Sequence, residues 1–428
     1  MKSTLLSLFL LVITFASYAQ NISGRFSSSV YTFERFDSLE TSTTYARAFQ
    51  LLSLNVSQDK VSLRSSMNLE TNLKKEQQVD HPRLRFYNLY LEARDLFDIA
   101  TLKFGRQPQF NSLIGGVFDG INLDLHKGDY KLSGFYGANV PAYQKLEIID
   151  DWGDNYVLGA SFRMNFLTNF RFEASYANKN FKQQEFEATR YSDDELMNSI
   201  QVLIRNKSNQ YEFVSGEISY SLKKMISVDT KYEYDLNFNE TSRVEVFGRY
   251  EQVEDLGINV YYNYREPRVR YNSIFSVFDF GNSQEIEVGG DYRLNPNYTV
   301  IAKFANVTYE TENSQRITAG LNTSWGTLSY RKNLGYAGEL DAVSVYSAYS
   351  LIEGLITPSL GLSYTTYKLS ESAEKNNLVS VLAGVNYRPF KVFSVDLQGQ
   401  YMNNKIYKDD YRFFLKLNYW FNTNLNLM

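Results

Sequence analysis

Few side chains in this chain have the types and spacing that catalysis requires. The 428 residues include two histidines, His81 and His126, and no cysteine. Thiolate nucleophiles are therefore excluded, and two histidines cannot build a His-rich metal site. A serine hydrolase needs a base within hydrogen-bond reach of its nucleophile, and nothing in the spacing supports such a pair. We therefore expect no enzyme activity, no catalytic residue and no cofactor.

An acidic cluster is the one candidate for a set of metal ligands. Asp150, Asp151 and Asp154 surround Trp152, and Ca²⁺ takes oxygen ligands from clustered carboxylates. Their spacing differs from that of a calcium-binding loop, so a solvated loop tip is favoured and we predict no metal site. The net charge of −4 also argues against a nucleic-acid partner, which needs a clustered basic face.

Charged residues recur at every second position of several long segments, opposite to apolar residues. In segment 226–235 one face carries isoleucine, valine, threonine and tyrosine, and the other carries serine, aspartate, lysine and glutamate. Segments 156–165, 285–292 and 411–421 sort in the same way. This alternation predicts β-strands with two different faces. Strands of soluble sandwiches average about 5–6 residues, and these segments are clearly longer.

Long two-faced strands are typical of membrane barrels. Strands exposed to lipid must close into a ring, because an open edge leaves unpaired N–H and C=O groups in hydrocarbon. A charge on the lipid face costs roughly 2–4 kcal/mol at the midplane, so the charged face must look into an aqueous lumen. We therefore predict an all-β, transmembrane, antiparallel up-and-down β-barrel.

Turn signals give the expected strand count. We predict about 22 strands (range roughly 18–22), the first near 22–36, with short periplasmic turns and longer outer loops. The longer connections are expected at 107–118, 138–155, 179–210 and 265–283. The predicted hairpin turns lie near 58–59, 94–95, 127–128, 167–169, 223–224, 254–255, 295–297, 325–326, 353–354 and 389–390.

The connection 179–210 is long enough to hold structure of its own. Ser192-Asp193-Asp194-Glu195 is typical of a helix N-terminus, and we expect a short helix that runs toward Leu203. Two interpretations of this connection stay open. It is either a mobile surface loop or a loop folded into the lumen to narrow it.

The N-terminus has the pattern of a secretory signal peptide. Lys2 is followed by a mainly apolar run, and Ser17-Tyr18-Ala19 forms a small-x-small cleavage site before Gln20. The apolar run is too short to span a membrane as an anchor helix. We predict a signal peptide at 1–19 and a single barrel domain at 20–428, with strands from about 22 to 421.

Both signs of charge fall on the predicted inward faces. A ring of one sign usually gives strong ion selectivity. The mixed wall therefore predicts either weak selectivity or ion pairs that stiffen the barrel. The expected channel-lining residues are Arg163, Arg171, Glu173, Asp229, Lys231, Glu233, Glu245, Arg249, Glu287, Asp291, Arg293 and Lys303.

Residues 83–141 contain motifs that resemble a known family. They include Leu-Lys-Phe-Gly-Arg-Gln-Pro at 102–108 and Gly-Gly-Val-Phe-Asp-Gly-Ile at 115–121. The segment resembles Gram-negative outer-membrane β-barrel porins, nearest to the alginate-export and phosphate-selective branch, which often shows a Gly-Arg-Gln strand end, a loop and a Phe-Asp-Gly strand start. By this resemblance Arg106 and Asp119 are candidates for a charge-assisted bond that fixes the loop between them. The alternative is that both charges are solvated.

The resemblance and the strand pattern imply an outer-membrane, porin-like channel of a Gram-negative bacterium, through which small hydrophilic solutes or ions diffuse passively. The expected partners are outer-membrane lipid, those solutes, and the barrel-assembly machinery during biogenesis, with a homo-oligomer left open and no nucleic acid. The alternative is a non-conducting outer-membrane barrel that acts as a structural anchor, adhesin or assembly partner. An energy-coupled receptor is disfavoured, because strands begin almost at the cleavage site and leave no room for a plug.

Overall fold

The computed structural model describes residues 21–36, 41–74, 82–110, 113–141, 146–149, 151–182, 186–191, 199–204, 210–222, 225–271, 273–277, 281–310, 312–335, 340–368, 370, 372–405 and 408–424. The predicted signal peptide, residues 1–19, lies outside this part of the chain. No helix among the described residues is long and apolar enough to cross a membrane. Two short 3-10 turns occur, at Ile274–Val277 and Ile352–Gly354.

The described residues form 24 β-strands. In chain order they are β1 (Asn21–Phe36), β2 (Ser42–Gln58), β3 (Val61–Asn72), β4 (Arg83–Leu96), β5 (Ala100–Phe110), β6 (Gly115–Lys127), β7 (Tyr130–Val140), β8 (Tyr156–Phe166), β9 (Phe170–Lys179), β10 (Phe186–Tyr191), β11 (Ser199–Ile204), β12 (Tyr211–Leu222), β13 (Ile226–Asp235), β14 (Glu240–Tyr250), β15 (Leu256–Arg265), β16 (Ser283–Asn295), β17 (Tyr298–Tyr309), β18 (Asn313–Thr323), β19 (Gly326–Leu334), β20 (Leu340–Ala348), β21 (Ile356–Tyr367), β22 (Asn376–Phe390), β23 (Phe393–Asn403) and β24 (Asp410–Asn424).

One antiparallel sheet closes on itself into a barrel. Sequence neighbours pair along the sheet, and β9 pairs with β12 around an inserted hairpin. β1 pairs with β2 on one side and with β24 on the other, where Val30 lies opposite Leu415. Closure leaves no free sheet edge. The predicted all-β barrel is confirmed, and the described residues contribute 22 strands to it.

The tight connections lie at one end of the barrel, here called the turn end, together with the strand termini Asn21 and Asn424. They fall at or within a few residues of the positions that the turn signals predicted. Asp59, Leu167 and Asp255 have φ angles of 48°, 58° and 63°, the left-handed conformation that two-residue hairpin turns require. Residues 223 and 224, predicted to turn between β12 and β13, lie outside the described part.

The opposite end, here called the loop end, carries the longer connections, and one prediction there is wrong. The expected loop at 107–118 is mostly strand, because β5 and β6 stay paired from Arg106 and Asp119 to Phe110 and Gly115. Gly105 and Gly116, at φ 124° and 139°, allow the pair to bend without breaking its ladder. The connection between these strands is therefore only residues 111–114. The other long connections are 141–155, 180–210 and 266–282.

The predicted helix toward Leu203 is also wrong where the chain is described. Ser199–Ile204 is strand β11, and it pairs in antiparallel register with β10. Ile200, Val202 and Ile204 stand at every second position of this segment, and β-branched side chains favour strands. Residues 192–198 lie outside the described part.

The outward face of the barrel is apolar. Ile286, Val288 and Phe304 have about half of their side-chain surface exposed there. Their neighbours Glu287 and Lys303 point the other way and form an ion pair across β16 and β17. On β7, exposed Tyr130 and Tyr136 lie toward the two ends of the outward face. The barrel therefore has an apolar exterior and a polar interior, as the alternation predicted.

Candidate functional site: the barrel lumen

The structure places the twelve predicted lining residues on the inward face of the wall. On β13, for example, Asp229, Lys231 and Glu233 alternate with residues of the outward face such as Tyr232, which is 46% exposed. The inward residues of neighbouring strands lie opposite one another, as Lys231 does with Glu217 and Glu245. The pleat therefore gathers the charges of separate strands on one continuous inner surface.

Most of these charges meet a partner of opposite sign. Lys231 Nζ lies 2.5 Å from Glu233 and 3.5 Å from Glu217. Arg163 contacts Glu173 at 2.7 Å, and neighbouring strands hold further pairs. Those pairs are Arg243 with Glu245, Arg293 with Asp255 and Lys303 with Glu287. Charge on the inner wall is thus largely cancelled locally, because opposite signs lie on adjacent strands or two residues apart on one strand, as Arg243 and Glu245 do on β14.

Two arginines reach across a whole strand, over a small residue. Arg249 on β14 contacts Asp291 on β16 at 2.8 Å, passing over Gly257 of β15. A Cβ at Gly257 would lie only 2.3 Å from Arg249 Nη2. Arg316 on β18 binds Glu285 and Glu287 on β16, across β17 where Ala305 is fully buried. Sequence reasoning missed Arg316, although a small inward residue between opposite charges was a visible signal.

Not every predicted lining residue is in an ion pair of this kind. Arg171 donates a hydrogen bond from Nη2 to Ser219 Oγ at 2.9 Å, and Asp229 is exposed on the inner wall. The inner wall thus combines paired charges with a smaller number of solvated ones.

The described end of the connection between β5 and β6, residues 113–114, packs on the lumen side of the wall. Leu113 and Ile114 are 1% and 7% exposed, and they pack against Phe118, Phe135 and Phe213 of the inner wall. Val157 and Ala177 complete this apolar cluster. Burial of apolar surface is the dominant favourable term that holds such a segment in place. The loop-end half of the lumen is therefore partly filled from the side of β6 to β12. We call residues 113–114 the inward segment.

Arg268, from the connection between β15 and β16, anchors the inward segment. Its Nη1 donates a hydrogen bond to Leu113 O at 2.6 Å, and its guanidinium stacks 4.8 Å from the ring centroid of Phe213. Nη2 pairs with Glu233, which is fully buried. Arg268 therefore connects two loops and the wall at one point. Sequence reasoning missed this residue, since nothing in local spacing brings positions 113, 233 and 268 together.

Arg106 and Asp119 form a bidentate ion pair across β5 and β6. Nε meets Oδ1 and Nη2 meets Oδ2, each at 2.8 Å, and both side chains are almost fully buried. The pair lies on the outward face, in line with exposed Phe104 and Ile121. It also binds the backbone of the next connection: Arg106 Nη2 donates to Glu147 O at 2.8 Å, and Ile149 N donates to Asp119 Oδ2 at 3.0 Å. The loop it holds is 141–155, not the predicted one.

The described part of connection 141–155, residues 146–149 and 151–155, therefore packs on the outside of the wall at the loop end. Tyr136 of β7 packs edge-on against Trp152, with ring centroids 5.5 Å apart, and donates a hydrogen bond to Trp152 O. Asp151 accepts a hydrogen bond from Lys182 Nζ at 2.6 Å, and this bond lowers the pKa of Asp151. Asp150 lies outside the described residues. Among the described residues, no group of three or more His, Cys, Asp or Glu side chains could hold a metal ion.

A different surface lines the lumen from β19 to β22. Many of its inward residues are small, although Arg331, Tyr346 and Leu382 share this face. Ser329 and Ser344 form a hydrogen bond of 2.8 Å across β19 and β20. We call this surface the small-residue wall: Ser329, Ser344, Ser359, Gly361, Ser363, Ser380 and Gly384. No ion pair lies on the inward face of these four strands among the described residues; the pair of Lys332 with Asp341 is on the outward face.

Of the two histidines, the structure describes His126. It is exposed near the turn end of β6, as its place before the turn predicted. His81 lies outside the described residues, so the absence of a catalytic constellation stays a prediction.

Comparisons with known proteins give a weak likeness of fold. No protein-family model matches the chain, and no curated protein matches it. OccAB1 of Acinetobacter baumannii has 8% identity and a TM-score of 0.46, with 95% of this chain and 99% of that chain covered. OpdK of Pseudomonas aeruginosa, solved with vanillate, has 10% identity and a TM-score of 0.42, with 95% and 100% covered. Likeness at this level carries no argument about activity, so function is inferred from the chain's own residues.

Proposed function

We propose that this protein is an outer-membrane, porin-like channel for passive diffusion of small hydrophilic solutes or ions. The observation that carries the proposal is that the outside of the barrel is apolar and the inside is charged, the reverse of a soluble protein. A closed ring exposes apolar side chains outward, such as Ile286 and Phe304, and gathers paired charges inward, such as Lys303 and Glu287. Such a barrel can be embedded in a lipid bilayer and hold water in its lumen.

The ends of the barrel support an orientation. Outer-membrane barrels have short turns toward the periplasm and longer loops outside. By this rule the turn end, with Asn21 and Asn424, faces the periplasm. The signal peptide at 1–19 would deliver the chain to that compartment, where barrel-assembly machinery would insert it. The motifs at 102–108 and 115–121 support a porin of the alginate-export and phosphate-selective branch, which stays a prediction.

The inward segment supports a channel of restricted width rather than a wide pore. Leu113 and Ile114 occupy part of the lumen, and Arg268 holds them against Glu233. Paired charges on the wall offer no single-signed ring, which supports weak ion selectivity. Selection by size and by hydrogen bonding would then outweigh selection by charge.

One observation favours the second candidate, a non-conducting barrel that acts as an anchor, adhesin or assembly partner. The apolar cluster around Phe118, Phe135 and Phe213 is buried like a protein core and fills part of the lumen. If further residues packed against this cluster, the lumen would be closed. The inserted hairpin β10–β11 also presents exposed Tyr191, Ile200 and Leu203, which suit contact with another molecule.

Single-channel recording in planar bilayers separates the two candidates. Purified mature protein is refolded into detergent, with heat-dependent gel mobility as proof of folding, and is then added to the bilayer. The channel proposal expects discrete conductance steps with weak preference between potassium and chloride. Folded protein that gives no step above background under several refolding conditions would contradict it. Deletion of residues 183–209 then tests whether that connection closes the lumen.

A further inference from the structure

One cavity in the lumen has no assigned role. It has a volume of about 520 Å³ and opens from the inner wall between β4 and β12. Phe135 lines it and also belongs to the apolar cluster of the inward segment, so the cavity borders that obstruction. Its principal polar lining groups are Lys103, Gln107, Gln109, Asn122, Asp124, Lys131, Ser133, Ser161, Arg163, Glu173 and Glu217. Ligand pockets in proteins are commonly about 300–1,000 Å³.

The charges of this cavity cancel. Lys103, Lys131 and Arg163 face Asp124, Glu173 and Glu217 across its lining. Lys103 and Lys131 lie 3.4 and 3.5 Å from Asp124, and Arg163 lies 2.7 Å from Glu173.

Glu217 is paired with Lys231 at 3.5 Å. An anion or a cation would therefore have to displace an existing partner, which removes most of the gain from its own charge. The cavity is built for a solute without net charge.

Hydrogen-bonding capacity remains after these pairs have formed. A carboxylate has about four acceptor sites and a lysine three donors, so each paired group keeps sites for further bonds. Asn122 lines the cavity, and a side-chain amide can both donate to and accept from a hydroxyl. Gln109 and Ser161 add an amide and a hydroxyl to the lining.

Two rings add apolar surface to the polar lining. Phe135 and Tyr90 both line the cavity, from β7 and β4. The face of an aromatic ring is electron-rich and attracts polarised C–H groups. A solute with many hydroxyls at its edge and C–H groups on its face fits this combination better than a simple ion or a hydrocarbon.

We propose that this cavity binds small uncharged sugars, of one or two rings, as they pass through the lumen. The inference deepens the proposed channel function and rests on it. Bidentate groups such as Asp124 and Asn122 would bond adjacent hydroxyls, while the rings of Phe135 and Tyr90 would contact the C–H face. The charge balance sets specificity, since sugar acids and amino sugars meet a lining of three positive and three negative side chains.

The test is the reduction of single-channel current by added solute. Glucose and maltose are compared with gluconate and glucosamine, which carry a negative and a positive charge at similar size. We expect concentration-dependent, saturable reduction of current by the neutral sugars, with weaker reduction by the two charged analogues. Conductance without saturable reduction by glucose or maltose would overturn the inference and leave the channel function standing. Stronger reduction by gluconate or glucosamine would also overturn it.

Asn122→Ala removes a lining amide and should weaken maltose binding roughly fivefold, the effect of one hydrogen bond. Asn322→Ala is the matched control, because it removes an inward amide of β18 that does not line the cavity. Unchanged binding in Asn122→Ala, or equal loss in both variants, would contradict the proposed contact.

Glu173→Gln tests the charge balance and does not depend on the first variant. It leaves Arg163 without its carboxylate partner at 2.7 Å, so the cavity gains one unpaired positive charge. We expect preference to shift from maltose to gluconate by roughly threefold or more, the size of a modest ion pair. A ratio of maltose to gluconate affinity that is unchanged from the parent would show that the paired charges do not set specificity.

Discussion

The lumen wall from β12 to β18 and the small-residue wall from β19 to β22 are the same kind of sheet with opposite inner surfaces. In the first, Arg249 and Arg316 cross over Gly257 and Ala305 to reach carboxylates two strands away. In the second, serines and glycines face the lumen, and Ser329 bonds Ser344. The long connections share this division, since 180–210 and 266–282 emerge beside β12 and β15–β16.

The difference shows where a barrel of this kind needs support. Arg268 and Leu113 belong to loops that meet in the lumen on the charged side. A segment inside a water-filled barrel needs hydrogen-bond and ion-pair partners on the wall to stay in place. The paired charges of the wall supply these partners. They add little net electrostatic potential to the lumen, because each charge lies beside one of opposite sign. The small-residue wall packs against no inserted segment among the described residues, and no ion pair lies on its inward face there.

The largest expected effect comes from Arg106→Ala, at the buried pair that holds connection 141–155. Asp119 would be left buried without its bidentate partner, and breaking a buried pair in this way costs about 3–5 kcal/mol. Urea unfolding of the refolded protein in detergent measures the loss. Arg163→Ala, at a more exposed pair, is the control and should cost about 1 kcal/mol or less. Equal losses in the two variants would show that burial of the Arg106 pair does not increase its contribution to the free energy of unfolding.

Arg268→Ala should have the next largest effect, because it releases the inward segment. The variant loses the bond to Leu113 O and leaves Glu233 with Lys231 as its remaining ion-pair partner. We expect a stability loss of about 1–3 kcal/mol and larger, noisier conductance steps. Lys332→Ala, on the outward face of β19, should leave the step size unchanged. If Arg268→Ala conducts like the parent, the inward segment does not limit the lumen.

Gly257→Ala should have the smallest effect on stability. It tests a single crossing arginine of the charged wall. Its Cβ would lie 2.3 Å from Arg249 Nη2, so the arginine must give up Asp291. Loss of a partly exposed ion pair costs about 1 kcal/mol or less. Gly399→Ala on β23 meets nothing within 4 Å and should stay within about 0.5 kcal/mol of the parent. A larger loss in Gly399→Ala would mean that backbone effects, and not the crossing arginine, decide the outcome.

Strand positions and wall faces could be predicted from the sequence because both follow from local alternation. Ile226 to Asp235 sorts into two faces without any knowledge of its neighbours, and turn residues such as Asp59 mark the strand ends. The loop at 107–118 was predicted wrongly because its glycines look like turn residues. In the structure Gly105 and Gly116 instead bend a continuous ladder.

The contacts that shape the lumen could not be predicted, because they join distant positions. Arg268 meets Leu113 and Glu233 only after the ring has closed. The pairing of Arg106 with Asp119 was suggested by the resemblance, but its outward position and its bonds to residues 147 and 149 depend on how connection 141–155 folds. Helix signals at 192–195 likewise did not reveal that 199–204 pairs with β10.

Closure between the first and last barrel strands is the central claim, and one engineered disulfide tests it most directly. The chain has no cysteine, so Val30→Cys with Leu415→Cys introduces a single pair at positions that face each other across β1 and β24. Paired strand residues lie about 4.5–5.5 Å apart at Cα, within disulfide range. We expect intramolecular bridging on oxidation, and none for Val30→Cys with Phe421→Cys. Bridging only between molecules, or equal bridging in both pairs, would contradict the closed barrel.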